Sequence, residues 1–169
     1  VKARTHYRIP RYRVCVVREN YDALLAEPPK RLTDSRQVYH ALRPHFADAA
    51  CEEFVMICLD TKHAPIGWHI VSIGSLTLSI VHPREVFKVA VAMNSAAIIL
   101  AHNHPSGEPT PSQEDRVLTQ RLVEGGELLG IRVLDHVVIG DEGRYVSFAD
   151  QGWVSRDQPA RATAGRAKK

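Results

Sequence analysis

Apolar and polar positions fall in blocks along this chain, and the period changes from block to block. Glu53 to Asp60 encloses Phe-Val-Met-Ile-Cys-Leu, an apolar run behind an acid, which predicts a buried strand. Thr61 to Pro65 turns the chain, and Ile66 to Ile73 returns to make a hairpin. Gly74 and Ser75 break that run, and Leu76 to Val81 continues extended. Pro83 opens a helix through Arg84, Glu85, Val86, Val89, Ala90 and Met93. The uncharged run Ala96 to Ala101 predicts a second buried strand. After a loop rich in Pro and Gly, Thr110 is placed to cap a helix, with Pro111 in its first position and Gln113 completing a capping box. Leu118, Leu122 and Leu129 form one stripe of that helix. Gly125 and Gly126 weaken it by about 1 kcal/mol each relative to Ala, and Gly130 is its expected C-cap. Ile131 to Ile139 predicts a strand, Gly140 to Gly143 a hairpin loop, and Arg144 to Phe148 the strand that pairs back, with Trp153 sealing an end of the core.

Nearer the start, Arg11 to Arg18 mixes β-branched residues with arginines and predicts an edge strand or an arm. Ala23 to Leu32 holds Pro28-Pro29 and reads as a linker. Val38, Ala41 and Leu42 then fall at helical spacing, in a helix capped by Thr33 or Ser35 and stopped at Pro44. Helices and strands alternate through both hairpins and crossovers, which implies an α/β class with a mixed β-sheet and helices on both faces. The expected divisions are a basic arm and linker over 1–32, one folded domain over 33–153, and a basic disordered tail over 154–169.

Charge sharpens these divisions. Of a net charge of +3, the first twenty residues carry +5 and residues 153–169 carry +4, which leaves −6 for residues 21–152. Basic ends on an acidic body predict weak, non-specific nucleic-acid contact through phosphates, or simply solubility. No apolar run reaches the length of a membrane span, so no membrane partner is expected. The Arg-rich first twenty residues lack the apolar stretch of a signal peptide. Cys15, Cys51 and Cys58 are odd in number, without a Cys-x-x-Cys, and read as reduced thiols of a cytoplasmic protein.

The chemistry lies between Ala96 and Asp115. His102 and His104 stand at the end of a buried strand, and side chains two apart on an extended chain point to the same side. Ser112 and Asp115, three apart in a helix's first turn, share a face. Two imidazoles and a carboxylate, with a hydroxyl beside them, suit a metal with one position left open for water, as in a catalytic zinc site.

His102-x-His104, seven residues from Pro105 to Pro111, then Ser112-x-x-Asp115 resembles the signature of the JAMM (MPN-type) metalloproteases. The longer wording around it, with Val81-His-Pro-Arg-Glu-Val-Phe-Lys88 and Leu134-Asp-His-Val-Val-Ile-Gly140, resembles the RadC family, long labelled DNA repair proteins, over about Val38 to Trp153. The resemblance implies a three-layer architecture related to cytidine deaminases, although the deaminase ligand signature is absent. The contiguous His-Asn-His is not the dispersed motif of HNH nucleases. The resemblance further implies Zn²⁺ on His102, His104 and Asp115, and a base glutamate at the start of an upstream strand. Glu53 is the best match for that base. Glu52 beside it faces the opposite way, and Glu85, on the predicted helix, is a third choice. The implied reaction cleaves a peptide or isopeptide bond in an unidentified protein or peptide substrate. Zinc acidifies water, Glu53 takes its proton and hands it to the leaving amine, and Ser112 donates to the oxyanion. Asp135 and His136 are candidates for fixing which ring nitrogen of a ligand histidine carries the proton, or are plain polar strand residues, and Gly107 reads as loop geometry. RadC proteins usually carry a helical module ahead of this domain, and this chain reads as a short form without it. One alternative is a DNA repair or mobile-element accessory protein that binds DNA, with its metal site structural or cryptic. Another is metal-dependent phosphoester hydrolysis, for which this stretch supplies few carboxylates.

Overall fold

The computed structural model describes Val17 and residues 31–47, 49–74 and 81–155. The predicted strand at Arg11 to Arg18, the linker, the run from Leu76 and the basic tail lie wholly or mostly outside the described residues. The elements are α1 (Ser35–Phe46), β1 (Glu53–Leu59), β2 (Pro65–Ile73), α2 (Pro83–Ala92), β3 (Ala97–Asn103), α3 (Gln113–Leu129), β4 (Arg132–Ile139) and β5 (Tyr145–Ser147). The strands form one mixed sheet in the order β2-β1-β3-β4-β5. β1 runs antiparallel to both β2 and β3, β3 is parallel to β4, and β5 returns antiparallel.

Alternation along the central strands builds two cores. Val55, Ile57, Leu59, Ile99 and Ala101 face α1, where Val38, Tyr39, Leu42 and Phe46 cover them. Phe54, Met56, Cys58, Ile98 and Leu100 face the other way, against Val86, Phe87 and Ala90 of α2 and Leu122 of α3. The result is α/β in three layers, with helices on both faces of the sheet. Every residue of β3 is buried, which is why its sequence shows an unbroken apolar run.

Three helix boundaries differ from expectation. The cap of α1 is Asp34, whose side chain accepts from the Gln37 amide at 2.9 Å, and the helix runs past Pro44 to Phe46. Pro44 removes one backbone donor in the last turn, while buried Phe46 and a bond from His45 to β1 hold the extension. α3 starts at Gln113 with Ser112 as its cap, instead of Thr110. Ser112 and Asp115 satisfy each other's backbone donors in a capping box, which Thr110 with Gln113 does not form. Gly130 ends α3 in the left-handed region, with φ 71°, as expected. Gly126 has a packing reason: a Cβ there would run into the Ile131 carbonyl oxygen and meet the Phe87 ring at 3.3 Å. Trp153 stands edge-on to Phe148 at 5.1 Å under the Arg116 guanidinium, and is 39% exposed, so it covers the core from outside. Among the described residues no helix is long and apolar enough to cross a membrane.

Candidate metal centre

The topology joins distant segments at one end of the sheet. Because β1 and β3 are antiparallel, the start of β1 meets the end of β3, and Phe54 pairs with His102. His102 is fully buried on the face it shares with Phe54 and His136. His104 follows at the mouth of the loop, its Nε2 3.0 Å from that of His102. Glu52 Oε1 lies 3.8 Å from His102 Nε2. Ligand atoms of Glu52, His102 and His104 all fall within 4.8 Å of one another, a group able to hold a metal ion. α3 brings Asp115 to the same point, with Oδ1 3.6 Å from His102 Nε2 and Oδ2 4.0 Å from His104 Nε2.

The donors fit a cation. Asp115 is buried, and its Oδ1 has no hydrogen-bond partner among the described residues. A buried carboxylate oxygen left bare is costly, and a bound ion removes that cost. Burial pushes the His102 imidazole down to about 4, against the pull of Asp115 in the other direction. Burial also holds His136 well below the usual histidine range. His102 is therefore neutral at pH 7, the state in which an imidazole ligates a metal. His104 donates from Nδ1 to the Glu108 carbonyl at 2.7 Å, which leaves the Nε2 lone pair pointing at the cluster.

The structure does not bring Glu53, the expected base, to this cluster. Its carboxylate bonds His45 Nε2 at 2.8 Å on the α1 side, and its amide donates to Asn103 Oδ1 at 2.8 Å. Adjacent strand residues point to opposite faces. Phe54 shares the His102 face, so Glu53 is turned away and Glu52, two before Phe54, is turned in. Glu85 is half-buried on α2 and paired with Lys88 and Arg84. Ser112 does reach the cluster, its hydroxyl donating to Asp115 Oδ2 at 2.7 Å.

A family model described as the RadC-like JAB domain matches residues 32–153. The chain belongs to the RadC-like JAB domain family. UPF0758 proteins are close in sequence. That of Methanosarcina barkeri is 50% identical over 133 residues, covering 79% of this chain and 58% of the relative. That of Symbiobacterium thermophilum is 50% identical over 129 residues, covering 75% and 55%. That of Pelobacter propionicus is 53% identical over 122 residues, covering 72% and 53%. The chain thus spans little more than half the length of these relatives.

In this JAB domain the loop after β3 is fastened to the β4–β5 hairpin. His104 donates its amide to the Ile139 carbonyl at 2.9 Å, and Asp141 donates to the Gly107 carbonyl at 3.0 Å. Gly107 has φ +79°, and a Cβ on Gly140 would press on the Gly107 carbonyl and on Pro109 Cδ at 2.8 Å. The Glu108 carboxylate accepts from Thr110 at 2.7 Å and Arg144 at 3.1 Å, and the Thr110 bond first of all lowers its pKa. These contacts set the carbonyl that orients His104. Of the two tautomer-fixing candidates, His136 touches His102, with 2.8 Å between its Nε2 and His102 Nδ1. Asp135 instead accepts from the His136 and Ala149 amides and from Ser147 Oγ, tying β4 to the final turn. Sequence reasoning missed Thr119, which is buried beneath His136. It also missed Gly140, whose close approach to Gly107 is tertiary.

Proposed function

We propose that this domain is a zinc-dependent hydrolase of peptide or isopeptide bonds, with His102, His104 and Asp115 holding the ion and Glu52 as the base. One observation carries the reading: two imidazole nitrogens, the unpartnered Asp115 Oδ1 and the Glu52 carboxylate converge at the end of the sheet. Nitrogen and carboxylate donors of this number suit zinc. When bound, the ion supplies Lewis acidity, which acidifies water and polarises a carbonyl group.

The rest of the reaction belongs to the chain's own side chains. Glu52 accepts the proton of the attacking water and returns it to the leaving amine. Its place beside His102 on the buried face keeps that proton exchange local. The Ser112 hydroxyl, presented at the start of α3, turns its one hydrogen from Asp115 Oδ2 to the carbonyl oxygen as negative charge develops there. Asp115 anchors the cluster to the rigid first turn of the helix.

Metal analysis with an assay on peptide and isopeptide substrates tests this. His102→Ala combined with His104→Ala should lose zinc. Glu52→Gln should keep zinc and lose hydrolysis, whereas Glu53→Gln should keep both. Zinc retained in the double variant, or activity that survives Glu52→Gln and falls with Glu53→Gln, would overturn the assignment.

A further inference from the structure

We infer that Thr119 and His136 are positioning residues, forming a relay that starts at the main-chain carbonyl of Asp115 and fixes the proton of His102 on Nδ1. This inference rests on the metal site proposed above. The geometry dictates every proton along the relay. A carbonyl can only accept, so Thr119 Oγ donates its one hydrogen to the Asp115 carbonyl, 2.6 Å away. That hydroxyl must then accept from its other neighbour, His136 Nδ1, also at 2.6 Å. His136 accordingly carries its proton on Nδ1. Both rings are buried, with Phe54 edge-on to His136 and stacked on His102 and Phe148 stacked on His136, surroundings that disfavour a charged imidazole. A neutral His136 therefore presents a lone pair at Nε2, which accepts from His102 Nδ1 at 2.8 Å.

His102 is left with its Nε2 lone pair facing the cluster. His104 reaches the same state by a separate route, through the Glu108 carbonyl. Two lone pairs 3.0 Å apart repel unless a cation or proton lies between them. Asp115 thus acts twice: its carboxylate faces the cluster, and its carbonyl, through two other residues, sets the tautomer of the neighbouring ligand. Without the Thr119 hydroxyl, His136 is free to move its proton to Nε2. His102 would then have to carry its own proton on the nitrogen that should hold the metal.

Long-range proton–nitrogen NMR on the histidines, with zinc affinity from competition against a metal-binding dye, tests the relay. In metal-free and zinc-loaded wild-type protein alike, His136 should be protonated on Nδ1, and a proton on Nε2 would overturn the relay. Thr119→Val keeps the side-chain shape and removes the donor, and should weaken zinc binding by about 10- to 100-fold. Thr119→Ser restores the hydroxyl and should return affinity close to wild type. Wild-type affinity in Thr119→Val would overturn the inference, and so would an equal loss in Thr119→Ser, which would mark a packing role. Failure of the wild-type protein to bind zinc would defeat the metal reading alone, because the His136 tautomer still decides the relay.

Discussion

Two buried imidazoles, His102 and His136, make this domain sensitive to acid. Both are held below the unfolded value of 6.5, mainly by burial. Between pH 6.5 and about 4 the unfolded chain therefore binds more protons than the folded one. The stability they contribute is fully present above pH 6.5 and declines below it, and the share of His102 is lost as pH falls through its folded value of about 4. For His102 alone the full loss is about 3 kcal/mol. Urea unfolding of the metal-free protein at pH 7, 5.5 and 4.5 should show stability falling across that window, and a flat profile would contradict the burial of both rings. The same buried surroundings hid one choice in the sequence. Glu52 and Glu53 are one peptide bond apart, and alternation would tell them apart if β1 had a polar face. Residues Phe54 to Leu59 are all buried, on both faces, so the run carries no phase from which to read which glutamate turns inward. The histidine pair was legible because its spacing matters only locally. The partners of His136 were not, because Thr119 reaches it from another element.

At the level of elements, α3 combines a structural start with a chemical one. Its capping box is made by Ser112 and Asp115, so the carboxylate that caps the helix is also the one that faces His102. The existence and type of the described elements could be read from hydrophobic period. The start of α3 could not, because Thr110-Pro-Ser-Gln113 and Ser112-x-x-Asp115 both spell a cap and only the folded contacts choose between them. α1 overran Pro44 for a related reason, since tertiary anchors at His45 and Phe46 outweigh one missing backbone donor. The Gly125-Gly126 pair reads as a helix weakness in sequence, and the structure shows why it is kept. At an open helix position Gly→Ala stabilises by about 1 kcal/mol. At Gly126 the added carbon meets the Ile131 carbonyl, and overpacking of this kind costs about 1–3 kcal/mol. Gly126→Ala should therefore lower the urea midpoint, by the equivalent of about 1 kcal/mol net. A stabilised variant would show that the α3–β4 turn yields easily.

For the whole molecule, the division of charge separates the site from the ends. Residues 21–152 carry −6, while the first twenty and the last seventeen carry +5 and +4. We propose that any nucleic-acid affinity resides in those ends and is made to phosphates. Each phosphate neutralised should then contribute about −0.9 to the slope of log K against log salt on duplex DNA. Removing residues 1–20 and 155–169 should abolish that binding and leave zinc content unchanged, as measured by DNA affinity at two salt concentrations alongside metal analysis. Tight, salt-insensitive binding by the shortened chain would place DNA contact on the domain itself. The antiparallel pairing of β1 with β3 has one more consequence. It sets Glu52 beside His102, fifty positions later in the chain, and α3 adds Asp115 thirteen positions beyond that. An ion held by His102, His104 and Asp115 would tie the end of β3 to the start of α3 beside Glu52, and binding confined to the folded state stabilises it by about 2.7 kcal/mol at a hundredfold excess over Kd. Zinc should raise the melting temperature of the wild-type protein by several degrees and leave the His102→Ala, His104→Ala double variant unmoved. By the same thermodynamics, a chelator strong enough to strip the ion should act on this domain as a mild denaturant.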